Sequence, residues 1–273
     1  MTIIGGIFII VGIILLVIYF NSKKRLEELS STEISTAAAL HEICQGVAQE
    51  IGKGSFEQKT EIAGVIECED PIESEIAKEA CVHYRSSVER KWEEDYEETY
   101  TETDSETGES VQKTRHATRE GSDSVSSNSR STKFMVRDET GTILVDPEGA
   151  KMDTERLVDR FEPHSAVSGG SISFGNFSFS LGGFADKGRR RTLGYHFSEY
   201  ILPLNRKVFI LGAASDRSGE LMIRKHREKG KFIISLKSGE ELVASAKSGM
   251  TWSLYGSIAC FVIGLLLLIF SLL

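Results

Sequence analysis

Lys133–Asp146, KFMVRDETGTILVD, alternates apolar and polar residues on both sides of Asp138-Glu139-Thr140-Gly141. Aromatic and β-branched residues at a period of two mark half-buried strands. Aspartate accepts hydrogen bonds from the backbone just beyond it, and glycine tolerates a backbone that other residues resist. The stretch reads strand, turn, strand. It sets a β reading for its surroundings.

Toward the C-terminus, Tyr200–Ala213 (YILPLNRKVFILGA), Glu220–Arg224 (ELMIR) and Lys231–Ser235 (KFIIS) are further strand signals separated by turns. Toward the N-terminus, Glu61–Glu67 (EIAGVIE) runs to a turn at Asp70-Pro71. Cys81–Trp92 (CVHYRSSVERKW) places Val82, Tyr84, Val88 and Trp92 on one parity, which continues through Tyr96 and Tyr100. Thr103–Gly108 has turn chemistry, and Val111–Arg119 returns. Glu93, Glu94, Asp95, Glu97 and Glu98 on the outgoing arm would face Lys113, Arg115 and Arg119 on the return. Such pairs contribute about 0.2–1 kcal/mol each across strands. The composition of 101–110 equally suits a disordered acidic insertion. Residues 120–132 read as a Ser-rich connector. In 168–184, SISF-GN-FSFS predicts a two-residue hairpin turn that sets Phe174 opposite Phe177 and Ile172 opposite Phe179. Its apolar face requires the domain core, another subunit or lipid as cover.

Residues 26–53 form a juxtamembrane amphipathic segment. Ile34, Ala37, Ala38, His41, Cys44, Val47, Ala48 and Ile51 draw one helical stripe; Ser30 with Glu33 fits a capping box, and Gly52 and Gly54 end the pattern. One helix followed by about seven or eight short strands predicts a mainly β (α+β) fold. The expected form is a small OB-like barrel or sandwich over 60–240, with an insert or hairpin at 93–132 and a second hairpin at 168–184.

The ends belong to another solvent. Residues 3–20 (IIGGIFIIVGIILLVIYF) carry no charge and extend roughly 27 Å as a helix. Residues 252–272 (WSLYGSIACFVIGLLLLIFSL) match them. Lipid leaves the backbone no external partner, so both read as transmembrane helices, over 1–22 and 251–273. Lys23, Lys24 and Arg25 follow the first, and Lys237 and Lys247 precede the second. Positive flanks predict a cytoplasmic soluble part with both termini on the opposite side, and Tyr19, Phe20, Trp252 and Tyr255 fit the same interface. A cleaved signal peptide would need a basic start and a small-residue cleavage site, which the first segment lacks. A net charge of −8 argues against general nucleic-acid binding. Cys44, Cys68, Cys81 and Cys260 show no paired spacing, as suits a reducing compartment.

The order of segments resembles the GIDE/mulan-type membrane E3 ubiquitin ligase family, whose soluble part is called the "beside a membrane" domain. The resemblance rests on Ile62–Glu67 with Asp70-Pro71-Ile72, Ala80-Cys81-Val82-His83-Tyr84-Arg85, Phe134–Ala150, Gly194–Pro203, Val208–Gly212, Lys231–Ser235 and the closing apolar helix. It implies a membrane-embedded protein. Eukaryotic members of this type carry a C-terminal RING, which holds two zinc ions through Cys and His pairs. This sequence ends at Leu273 with no Cys-x-x-Cys. The resemblance therefore implies the sensing or scaffold portion of a RING-less, prokaryotic relative, and no ligase activity.

No catalytic, cofactor or metal residues stand out. His41 and Cys44 lie one helical turn apart, and Cys81 and His83 share a strand face. A packed interior explains each pair better than a metal half-site or a thiol–imidazole pair. Glu199 is either a buried acid or a strand start. Lys187, Arg189, Arg190 and Arg191 form the one basic run, a candidate contact for anionic lipid or a partner together with Phe174 and Phe177. Gly256, Cys260 and Gly264 recur every four residues, a small-residue face for packing on the first span near Gly5, Gly6 and Gly12, or on a second copy. The expected role is a non-catalytic scaffold or sensor that recruits a protein partner. The alternatives are an E3-like component working with a RING or conjugation enzyme in trans, or a barrel for lipid or a small ligand; a hydrolase is least supported.

Overall fold

The computed structural model describes residues 2–30, 34–103, 110–174, 177–181, 189–227 and 230–272. In chain order these form α1 (Thr2–Ser30), α2 (Ala37–Glu50), β1 (Glu57–Glu67), β2 (Ile72–Glu73), β3 (Ala80–Thr103), β4 (Ser110–Ser131), β5 (Phe134–Arg137), β6 (Thr142–Val145), β7 (Lys151–Asp153), β8 (Glu155–Pro163), β9 (Ser171–Phe174), β10 (Phe177–Ser180), β11 (Arg190–Pro203), β12 (Lys207–Ser215), β13 (Met222–Arg224), β14 (Ile233–Ser235) and α3 (Gly239–Leu272). The fold is mainly β, with an OB-like barrel and an apolar helix at each end. The chain passes back and forth between two compact units, one of residues 1–67, 133–153 and 205–273, the other of 68–132 and 154–204.

In the first unit, β1-β5-β6-β13-β12 run edge to edge and β12 pairs back onto β1, closing a five-stranded barrel. Alternation fills it: Phe134 and Val136 of β5 and Ile143 and Val145 of β6 point inward, as do Ile62 and Ile66 of β1. β1 pairs with β12 from Glu57 to Val65 and with β5 from Val65 to Glu67. At that handover sits Gly64, where a Cβ would lie 2.5 Å from the Arg137 carbonyl oxygen and 2.6 Å from Val136 Cγ1. Only glycine admits so close a backbone, as at barrel corners generally.

Helix α2 lies on this barrel and begins at three free N–H groups that the sequence satisfies from two directions. Ala39 N donates to its N-cap, Thr36 Oγ1, at 3.3 Å; Ala37 N donates to Asp138 Oδ2 at 2.7 Å; Ala38 N donates to Thr140 Oγ1 at 3.1 Å. The β5–β6 turn is thus also a helix cap, and the Asp138 charge sits where the helix dipole favours an anion. The helix expected from residue 26 is in fact two helices, α1 ending at Ser30 and α2 starting at Ala37. Thr36, in an extended conformation, supplies the cap assigned to Ser30 and Glu33. Gly52 and Gly54 adopt φ of 118° and 84° and turn the chain into β1.

Helix α3 starts on the same unit. Ser238 Oγ accepts from Glu241 N at 3.2 Å while Ser238 N donates to Glu241 Oε2 at 2.8 Å, a reciprocal cap. Leu242 packs on Phe209, Leu211 and Ile233. From there the helix continues without interruption to Leu272. Helices α1 and α3 pack on one another along their spans.

The second unit is an open half-barrel in which β3 is central. β11 lines one edge; β2 and then β4 line the other, and β8 flanks β11. The β9–β10 hairpin closes its concave face, with Ile172, Phe177 and Leu181 buried against Ile76, Val88, Tyr195 and Phe197. The register is Phe174 to Phe177 and Ile172 to Phe179. Residues 120–131, which look like a connector, are instead the second half of β4 and pair with β3 from Glu93 to His83. Their serines suit an exposed edge strand.

Candidate functional site

The outer part of the β3–β4 hairpin extends past the strands that flank its root. β11 accompanies β3 only as far as Glu94, opposite Arg190. Beyond it, residues 95–103 pair with 110–118, and no other described strand flanks them. At about 3.3 Å per residue the ribbon is roughly 30 Å long. Its two faces differ. One carries Tyr96, Glu98, Tyr100 and Glu102 opposite Ala117, Arg115, Lys113 and Val111. Arg115 donates to Glu98 at 2.7 Å, with its guanidinium 5.4 Å from the Tyr100 ring centroid. Lys113 pairs with Glu102 at 2.6 Å, and Arg119 lies 5.5 Å from the Tyr96 centroid. The other face is polar, built from Asp95, Glu97, Thr99 and Thr101 opposite Thr118, His116, Thr114 and Gln112. Two-stranded ribbons are marginal in water, so these charge and ring contacts, each small, help hold this one.

The root of the ribbon is built more tightly. Trp92 lies across Gly121, where a Cβ would come within 2.3 Å of its ring, and Arg190 stacks over the indole at 4.1 Å. Arg191 pairs with Glu93, Arg190 with Glu94 at 3.2 Å, and Arg189 with Glu97 at 4.0 Å. Each of these three arginines is therefore matched by an acid, which weakens the attraction they would exert on anionic lipid. Lys187 lies outside the described residues. Phe177 is core, 5.9 Å centroid to centroid from Phe197, and is withdrawn from any lipid surface. Only the backbone of Phe174 is described.

The titratable groups that the sequence singles out sit in local contacts. Glu199 is fully buried and accepts from Ser74 Oγ at 3.0 Å, Ile76 N at 2.7 Å and Ala77 N at 2.9 Å, pinning the loop before β3. His83 Nδ1 meets Ser131 Oγ at 2.8 Å, and burial holds its pKa below the usual histidine range. Burial, with the Glu199 charge adding to it, pushes the Cys81 thiol up to about 11; such a thiol is not a nucleophile near neutrality. His41 Nε2 meets the Thr142 carbonyl at 3.2 Å, while Cys44 is buried with its pKa raised, chiefly by that burial. Among the described residues, no three His, Cys, Asp or Glu side chains gather as a metal ion would need.

At the helix pair, a Cβ on Gly264 would lie 3.1 Å from the Gly5 carbonyl oxygen and 3.0 Å from Ile9 Cγ1, and Gly256 faces Leu15. Gly12 faces the Phe261 ring, whereas Gly6 faces open space. Cys260 is half-buried. Two further small residues line this seam, Ser253 and Ser257, which sequence spacing missed; each hydroxyl bonds a carbonyl of its own helix, at 3.1 and 2.8 Å. That self-satisfaction suits lipid. Both helices are long and apolar enough to cross a membrane, and side chains such as Ile3, Ile10, Ile14, Leu265 and Phe270 are exposed along them.

A barrel and a half-barrel with a projecting ribbon are joined in one chain to two helices long and apolar enough to cross a membrane, an arrangement that fits a membrane protein with a folded β part. The family model described as GIDE, E3 ubiquitin ligase, matches residues 98–269, more than half of the chain. The chain belongs to the GIDE family. Comparison with curated proteins and with solved structures returns no match.

Proposed function

We propose that this chain is a non-catalytic platform held on the cytoplasmic face of a membrane, and that it recruits a protein partner through the β3–β4 ribbon. The carrying observation is that residues 95–103 and 110–118 pair only with each other among the described strands. Strand edges that no other described strand covers, with a tyrosine- and arginine-bearing face, are what an added strand or a docking partner uses. Charged residues along both edges guard against indiscriminate pairing.

Replacing residues 96–117 by a short Asn-Gly turn tests this. Proximity labelling from the full chain in its native membrane is expected to lose a discrete set of neighbours, with membrane insertion and abundance unchanged. An unchanged set of neighbours rejects the ribbon as the recruiting element.

A second reading is favoured by the family description. The platform would present its bound client to a ubiquitin-type conjugation enzyme supplied by another chain. It predicts that the neighbours lost with the ribbon include such an enzyme or its modified clients.

A further inference from the structure

The sheet of the second unit has two edges, and they are built differently. β8 forms one of them, with Arg156, Asp159, Arg160 and Glu162 along it, a bulge at Leu157 and a proline at its end. Charge, bulges and proline keep an edge strand from pairing with another chain. β4 forms the other edge and pairs with β3 alone among the described strands. Over residues 122–131 (SDSVSSNSRS) it carries one acid and one base, no lysine and no proline, with a bulge at Val125. Residues 127–131 are exposed.

The register across β3 says what this edge fits. Arg130, Ser127 and Asp123 stand opposite Tyr84, Ser87 and Arg90, so Arg130 and Asp123 lie three β3 positions to either side of Ser127, the bulge absorbing the extra residue. Tyr84 and Arg90 share a parity of β3, which puts Arg130 and Asp123 on one face of the sheet. An antiparallel second copy centred on Ser127 therefore sets Arg130 of each chain opposite Asp123 of the other. By the same count Ser129 meets Ser124, Ser131 meets Ser122 and Asn128 meets Ser126. No like charges meet, and Val125, the bulged residue, packs on the core of its own unit. Opposite charges and facing hydroxyls are favourable cross-strand pairs. Arg130 forms no ion pair among the described residues. Asp123, bound to Arg90 at 2.7 Å, keeps 40 % of its side chain exposed. We propose that two copies of this chain join along β4 into one continuous sheet, with a two-fold axis at Ser127. Such a self-complementary contact is the form most homodimers take. The surface is the root of β4, so the inference is independent of recruitment by the outer ribbon.

Cysteine crosslinking reads the axis directly. Residues paired at the axis have Cα atoms about 5 Å apart, within reach of a disulfide, whereas residue 124 would lie roughly 13 Å from its own copy and residue 131 roughly 26 Å. Full-length Ser127→Cys, Ser124→Cys and Ser131→Cys are each oxidised with copper phenanthroline in isolated membranes, and the disulfide is located by peptide mapping. The dimer linked through position 127 is expected to exceed the other two about tenfold. Adding Arg130→Asp, which sets like charges opposite one another twice, should cut its yield about tenfold, and Arg130→Lys should preserve it. Equal yields at the three positions, no dimer at 127, a disulfide from 127 to another protein, or a yield that Arg130→Asp leaves unchanged would each overturn the proposal.

Discussion

Asp138 Oδ2 accepts a 2.7 Å hydrogen bond from the backbone N–H of Ala37, which joins a β-turn to the first residue of a helix a hundred positions away in sequence. Asp138 Oδ1 meanwhile accepts from Thr140 N at 2.7 Å, Thr140 Oγ1 at 2.7 Å and Gly141 N at 3.0 Å. One carboxylate closes the turn and caps the helix. It thereby fixes α2 on the barrel.

Asp138→Ala should cost about 2–4 kcal/mol of stability and Asp138→Asn roughly half that, since an amide keeps one acceptor oxygen. Burial alone would raise the Asp138 pKa, but its hydrogen bonds outweigh burial and the net direction is down. A folded-state pKa below the unfolded one gives stabilisation that is complete above about pH 5 and is lost as pH falls through the unfolded and then the folded value. Urea unfolding of the detergent-solubilised chain, followed by circular dichroism, should show a gap between wild type and Asp138→Asn that is constant from pH 6 to 7 and narrows below about pH 4. A gap that does not change with pH contradicts this assignment.

Two glycines should respond in opposite ways. Gly64→Ala drives a Cβ into the Arg137 carbonyl at the barrel corner and should cost about 1–3 kcal/mol. Gly46, inside α2, has nothing within 4 Å of a built Cβ, so Gly46→Ala should stabilise by about 0.5–1 kcal/mol. The same urea titration reads both.

With its pKa near 11, Cys81 should resist iodoacetamide at pH 8 in the folded protein and react at the rate of an ordinary thiol once unfolded. Peptide mapping after timed labelling checks this. Rapid labelling in the native state would mean that the site is open and activated, and would revive a chemical role for Cys81 and His83.

Sequence reading succeeded where local chemistry decides the outcome. The Asp-x-x-Gly turn at Asp138, the Gly-Asn register of the second hairpin and the two apolar ends are each set by a few adjacent residues. The division into two units was unreadable because the chain crosses between them at Glu67–Cys68, Thr132–Lys133, Asp153–Thr154 and Leu204–Asn205 with no linker composition to mark the passage. A small barrel was among the expected forms, but the pair of strands that closes it was hidden, since β1 meets β12 about 150 residues later. Serines at 122–131 suggested a connector, yet a strand exposed along one edge asks little of side-chain hydrophobicity. The arginines at 189–191 looked like a free basic patch only because the glutamates that meet them lie far away in sequence on β3.

The account depends on α1 and α3 both crossing a membrane, with the barrel and half-barrel on its cytoplasmic side. Protease applied to intact cells producing the chain with a tag at each end tests this most directly. Both tags should be removed while the folded part survives as one protected fragment that is digested only after permeabilisation. Protected tags with a degraded folded part, or release of the chain from membranes by alkaline carbonate, would contradict it.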